Sequence, residues 1–539
     1  MQHNRLQADI KRYFWIGIIG AILFVLIQIL PSTADSFFTG TTGKTISKSS
    51  AELKAAAFAG LQFGQAVVRT HAVYQSDSVF YGYLSREGLL DDFAEKYEDR
   101  FPTDTFQIAA ELGNGETAYI YIHMTKGTVV GWHLFALERN TNTTLTGSKL
   151  LRAARSEALN RGFTASELEI AEAGGDPSVQ VLKPKDGMIG QAKLQLHIRA
   201  QQTASGSVLV TRYEPVFNVP SEYVAYVKRQ DRLADLLSIG GSLLLSAVLF
   251  ILAIVYAALY RKHTSFKRGW LISAIFLAFY VVNNLNMMDG IRASMGESLN
   301  AELYAIIAVT VTMGITLLLG ASCYFSLVAG DGLWRAMGRS LWPRAGESDY
   351  GSVVWNSMKL AYIFAFIVMG LQSVVLIVLQ QTTGAWSTTD VTQSTYNFAY
   401  PFLLPLLAWC AAIQEEAVYR LFGIGLMRKW LRSPFVASLI PTVIWALGHV
   451  TYPIYPSTTR LIEVTLLGLL FSFIFLRYGF ITAVFTHAIM DSVLMSSSLF
   501  FLGSVRDIIA GIVYILAPVG VAWLLRKYSG SRTGSPTIA

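Results

Sequence analysis

The pattern of apolar and polar positions changes twice along the chain. An apolar run from Tyr13 to Leu30 follows Arg5, Lys11 and Arg12, and at about 1.5 Å per residue it is long enough to span a bilayer. From about residue 35 to 233 the spacing becomes that of a soluble domain. Leu53 to Val67 and Tyr83 to Tyr97 show helical periodicity with charged faces, and Ser148 to Arg161 predicts a further helix with Ser148 as N-cap and Gly162 just past its end. Ala118 to His123, Val129 to Leu137, Ala192 to Arg199 and Ser207 to Tyr213 alternate or are β-rich, as strands do. From Leu233 onward apolar segments follow one another with short connections. The expected spans are about 234–260, 270–288, 303–329, 359–380, 398–430, 435–449, 461–476, 480–502 and 507–525.

The fold class that follows is an all-α polytopic membrane protein of about ten spanning helices with one inserted α+β domain. Composition agrees: 53% of residues are hydrophobic, 15% are charged and the mean hydropathy is +0.43. A soluble domain carries roughly 25% charged residues. Ser32-Thr33-Ala34 resembles a cleavage site for a signal peptidase, but the preceding run is longer than a signal peptide's usual apolar region, so an uncleaved signal anchor is expected.

Charge fixes an orientation. The connections holding Arg261, Lys262, Lys267 and Arg268, then Arg335, Arg339 and Arg344, then Arg428, Lys429 and Arg432, and the tail with Arg526, Lys527 and Arg532 are basic. Residues 382–397 contain no Lys or Arg. Placing the basic connections in the cytoplasm puts both termini inside and residues 35–233 outside. The net charge of +7 is then a membrane-flank feature, with no separate basic cluster to suggest nucleic acid. Cys323 and Cys410 both lie in apolar stretches, so the outer domain must fold without a disulfide.

An ionisable side chain at membrane depth costs on the order of 3 kcal/mol even on mild scales. The stretch Gln414-Glu415-Glu416-Ala417-Val418-Tyr419-Arg420 places two carboxylates and an arginine in an apolar helix. Glu416 and Arg420 share a face and can pair, whereas Glu415 points about 100° away and is free to titrate. Trp445 and His449 follow at a spacing of four, and His487 and Asp491 repeat that spacing on another helix. Glu415 and His449 each lie about 16 residues from the basic turn at 431–434, so an antiparallel hairpin brings them to one height. His487 matches that depth less closely and needs a tilt or kink. Each group alone has a bland reading: a packing ion pair, an interfacial histidine, a self-satisfied His–Asp pair. Six such residues over three helices argue for a site.

These motifs, Glu-Glu-x-x-x-Arg, aromatic-x-x-x-His and His-x-x-x-Asn/Asp, resemble the CPBP family, also called Abi, of CAAX prenyl endopeptidase type II and bacteriocin-processing intramembrane proteases. Trp445 stands where many members have Phe, and Asp491 stands where prenyl proteases usually have Asn. The resemblance covers about residues 395–505. With the hydropathy pattern, which sets the other boundaries, the chain divides into a cytoplasmic start and anchor (1–34), the outer α+β domain (35–233), helices of unassigned role (234–394), the protease-like core (395–505) and a last helix and tail (506–539). The resemblance implies Glu415 as the general base, Glu416 and Arg420 as its support, His449 and His487 as binding or polarising groups, and Asp491 as the residue that orients His487 or indirectly stabilises the oxyanion. Glu415, His449 and His487 could hold Zn2+ with a fourth place open for water. A metal-free route with a desolvated carboxylate and histidine donors is equally consistent. Asp491 in place of Asn adds a negative charge and favours a cation or a protonated His487.

The substrate expected is a membrane-embedded or lipid-anchored peptide or protein in a bacterial inner (cell) membrane. No His-Glu-x-x-His run occurs, Gly330-Asp331-Gly332 is not the Gly-x-Gly-Asp of aspartyl intramembrane proteases, and no serine has a convincing histidine partner. The alternatives are a non-enzymatic scaffold or bacteriocin-immunity-type binding protein and, less well supported, a transporter using Glu415 and Arg420 as a relay, for which no internal repeat is found.

Overall fold

The computed structural model describes residues 2–30, 45–135, 142–171, 176–347 and 349–533. The cleavage-like Ser32-Thr33-Ala34 lies outside the described residues, as does the end of the strand expected over Val129 to Leu137. Among the described residues, eight helices are long and apolar enough to cross a membrane: Leu6–Ile29, Ser221–Leu259, Ala301–Ala336, Tyr350–Thr383, Pro401–Trp430, Thr458–Tyr478, Phe480–Phe501 and Val505–Ser529. The pair Trp270–Asn286 and Met288–Ser294, bent by 50°, adds a ninth if taken as one span, and Pro434–Leu447 is a shorter apolar helix. By helix length and composition this is an integral membrane protein. The expected set of about ten spans includes that shorter segment, whose 14 residues reach only about 21 Å of a core roughly 30 Å thick.

The bundle packs as lipid-facing helices do, through small residues that let backbones approach. A Cβ on Gly370 would lie 2.5 Å from the Cα of Gly20, so glycine there lets the first helix lie against Tyr350–Thr383. At one end of the bundle the basic connections converge on Asp331, 3% exposed, which accepts from Arg268 at 3.1 Å and Arg335 at 3.0 Å.

At the opposite end stands the β-rich domain. Its sheet has ten strands, and eight of them lie in the order Val67–Ser76, Asp104–Leu112, Thr117–His123, Val129–Phe135, Val208–Asn218, Ala192–Gln202, Gln180–Pro184 and Leu168–Ile170. Neighbouring strands run antiparallel. Alternate residues of Ala192–Gln202 are buried, the signature of a sheet with one face on a core. Trp132, 1% exposed, anchors that core and donates its indole N–H to the Val210 carbonyl at 3.1 Å.

Several local expectations move. The first domain helix is Lys48–Phe63, stopped by Gly64 at φ 65°, and Val67 opens a strand instead. Gly88, at φ 68°, breaks the helix expected over Tyr83 to Tyr97 into Ser78–Glu87 and a second piece beginning at Leu90. The helix over 148–161 is Gly147–Asn160, with Thr146 rather than Ser148 in the N-cap position and without a side-chain capping bond. Val67–Ser76 and Asp104–Leu112 are strands beyond those expected.

The domain docks on connections that flank the polar helices. Val67–Ser76 is an edge strand, and such an edge leaves backbone groups unpaired. Asn397, fully buried, fills that role: it accepts from Tyr74 N–H at 2.7 Å and donates to Tyr74 C=O at 2.9 Å. Trp386 inserts into the domain's core, and Trp386–Ser387 pairs with Ile454–Tyr455. The connections before Glu415 and after His449 are thereby tied to each other and to the domain.

Candidate active site

The helix Pro401–Trp430 changes its winding where the two glutamates meet. Ordinary α-turns run over Leu406–Glu415, and Glu416–Ile424 is π-helical. A π-turn adds a residue per hydrogen-bonded ring and re-aims the side chains after it, and such turns recur at functional sites. Here the adjacent carboxylates part. Glu416 is fully buried, while Glu415 keeps 19% of its side chain exposed and faces a cavity of about 550 Å³.

Glu416 is held from two sides. Arg420 Nη1 lies 3.1 Å from its Oε1, and the guanidinium stacks 4.1 Å over the Trp445 ring and 5.4 Å from that of Phe471. The same Oε1 lies 2.9 Å from His487 Nδ1. A carboxylate only accepts, so Nδ1 carries the proton and donates. His487 Nε2 then faces Asp491 Oδ2 at 3.4 Å and Glu415 Oε2 at 3.8 Å. The i, i+4 pairing of Glu416 with Arg420 follows the sequence expectation. The Glu416–His487 bond does not; it arises because the widened helix turns Glu416 toward the helix Phe480–Phe501.

Glu415 has a different partner. The indole N–H of Trp445 donates to its Oε2, so the residue level with Glu415 is Trp445, one turn before the His449 expected there. His449 lies just past the end of Pro434–Leu447, on the turn that follows. Its Nδ1 is 3.0 Å from the Trp445 carbonyl, which can only accept, so Nδ1 bears the proton and Nε2 keeps its lone pair. The ring stacks on Tyr452 with centroids 5.8 Å apart.

The cavity wall includes Glu415, His449, His487 and Asp491, whereas Glu416 and Arg420 lie behind it. A second charged cluster in the wall escaped the sequence reading. Glu463, fully buried, accepts from Arg460 Nη1 at 2.5 Å and from Gln372 Nε2 at 2.7 Å. The signal was present, since Glu463 is an ionisable residue inside the span expected at 461–476.

The donor types Glu, His and His suit Zn2+. Among the described residues, however, no three His, Cys, Asp or Glu side chains are grouped closely enough to hold a metal ion. In this arrangement Glu415 Oε2 takes the Trp445 indole and His487 Nδ1 takes Glu416. The set as arranged does not close around an ion, and no step below passes through one.

Residues 396–493 match the family model described as Rce1-like, type II CAAX prenyl endopeptidase Rce1-like. Neither the curated proteins nor the solved structures gave a match. The matched stretch is about a fifth of the chain and holds all six polar residues of the three motifs. Residues 396–493 are thus similar to the type II CAAX prenyl endopeptidase Rce1-like domain, within a larger integral membrane protein.

Proposed function

We propose that this protein is an intramembrane endopeptidase that hydrolyses a peptide bond of a membrane-embedded or lipid-anchored substrate with water activated by Glu415. One observation carries the reading: of two adjacent carboxylates, Glu416 is buried with its Oε1 against Arg420 and His487, while Glu415 faces a 550 Å³ cavity beside two histidines.

The chemistry follows from the hydrogen-bond roles. A water at the cavity floor donates to Glu415 and to the lone pair on His449 Nε2, which the Trp445 carbonyl fixes in that tautomer. As water oxygen bonds to the scissile carbonyl carbon, its proton passes to Glu415. His487, protonated on Nε2 and held among three carboxylates, donates toward the developing oxyanion. Glu415 then delivers its proton to the leaving amine nitrogen as the carbon–nitrogen bond breaks. Asp491 aligns His487, and Arg420 neutralises Glu416 so that the floor does not hold a further uncompensated carboxylate. Preorganised groups on a largely buried floor act more strongly than in bulk water.

Membrane peptides incubated with purified protein in H2 18O are expected to yield fragments whose new C-terminal carboxyl carries solvent oxygen. Fragments lacking it would contradict direct attack by water.

A further inference from the structure

The cavity above Glu415 lies off-centre in the bundle. The helices that line it do so from about mid-length toward the end nearer the β-rich domain. Asn284 is near the end of Trp270–Asn286, Thr312 near the start of Ala301–Ala336, and Gln372 late in Tyr350–Thr383; Gln414, Val464 and Leu494 repeat this on the next three long helices. Trp270–Asn286, Tyr350–Thr383 and Phe480–Phe501 run toward the domain and Ala301–Ala336, Pro401–Trp430 and Thr458–Tyr478 run away from it, so late positions on the first three and early ones on the others mark the same level. No lining residue falls in the third of any helix nearest the basic connections. Below the floor the interior is solid: Phe422, Ile424, Phe475 and Ala483 are fully buried, so the site is shut toward that end.

The open end lies under the domain. Ile291, Thr392 and Gln393 belong to the wall, and Gln393 is exposed. These residues sit in connections that the domain grips. Asp289 meets Lys48 at 2.9 Å and His71 at 2.8 Å, Glu297 meets Tyr121 at 2.8 Å and His133 at 2.7 Å, and Thr389 bonds Ser76 at 2.7 Å. The domain therefore stands beside the mouth and frames what enters. The basic connections mark the opposite end as the cytoplasmic one.

We infer that the chamber is loaded from the extracytoplasmic face, and that its substrate is an exported polypeptide whose scissile segment, largely apolar, lies at the outer membrane surface beneath the β-rich domain. A peptide tail displayed in the cytoplasm has no path to Glu415. The substrate part of this inference rests on the protease reading; the direction of access does not.

The test separates the two. In full-length protein with Cys323→Ala and Cys410→Ala, single cysteines are placed at Gln393→Cys (mouth), Leu494→Cys (chamber wall) and Lys429→Cys (basic turn). A membrane-impermeant maleimide is applied to right-side-out and to inverted vesicles. Gln393→Cys and Leu494→Cys are expected to label in right-side-out vesicles and Lys429→Cys only in inverted ones. Labelling of Leu494→Cys from the same side as Lys429→Cys, or from neither side while Gln393→Cys reacts, overturns the direction of access. Because labelling needs no turnover, it stands whatever the fate of Glu415→Gln. Comparing new peptide termini in membranes carrying the wild-type chain or Glu415→Gln then addresses the substrate. Termini in exported segments that vanish in the variant are expected, and termini confined to cytoplasmic segments overturn that part.

Discussion

Two charge clusters built from the same residue types lie at different heights in this molecule, and their surroundings give them opposite meanings. At the junction of domain and bundle, Asp289 gathers Lys48, His71 and Arg292, with side chains 18–36% exposed. At the chamber floor, Glu416 gathers Arg420 and His487, with side chains 0–5% exposed. Water screens the first cluster, and exposed ion pairs typically contribute 0–1 kcal/mol. The second has lost its water, so each ion carries a desolvation cost of several kcal/mol that only well-placed partners offset. A chain that needed only cohesion would gain as much from apolar packing there. The floor keeps its charges because they set the orientation of His487 and leave Glu415 as the carboxylate facing the cavity.

That contrast can be broken in graded steps. Arg420→Met should have the largest structural effect, about 3–5 kcal/mol, because it removes the guanidinium and leaves buried Glu416 with His487 as its one remaining charged partner. A melting curve in detergent or nanodiscs checks it, and a loss below about 1 kcal/mol would place the Arg420 cluster in the same class as an exposed ion pair. Asn397→Ala should cost about 1–3 kcal/mol by stranding the N–H and C=O of Tyr74 on the edge strand. Hydrogen exchange at residues 67–76 should accelerate while the floor helices stay protected. Asp289→Asn should cost no more than about 1 kcal/mol, and added salt should shrink the difference from wild type.

The smallest effect expected is a pH dependence in the domain. Burial, and next the nearby Asp104, push the Glu98 carboxyl up to about 7. The folded domain thus favours the protonated form, and this contribution is full below about 4.5 and is lost as pH rises through about 7. Glu98→Gln should flatten that part of the stability profile.

Hydropathy made the helices legible because lipid demands long apolar runs regardless of partners. The Glu416–Arg420 pair was legible because i, i+4 geometry is local. The Glu416–His487 bond was not, since it depends on π-winding that no residue of Glu416–Ile424 announces. Asp104–Leu112, with Ala109, Ala110, Glu111 and Leu112 at its end, reads as helix-tolerant by propensity, and only pairing with Val67–Ser76 and Thr117–His123 makes it a strand. Where the chamber sits along the bundle also lay beyond local pattern, because it depends on how far along each of several helices the lining residues fall.

The central claim is that neighbouring glutamates divide the work, Glu415 as base and Glu416 as scaffold. The most direct measurement is turnover and melting temperature of Glu415→Gln beside Glu416→Gln on one cleavable membrane peptide. The account predicts that Glu415→Gln melts as wild type yet loses about 10²–10⁴-fold in turnover, the usual range for general-base removal, whereas Glu416→Gln is destabilised. Wild-type turnover in Glu415→Gln would contradict it.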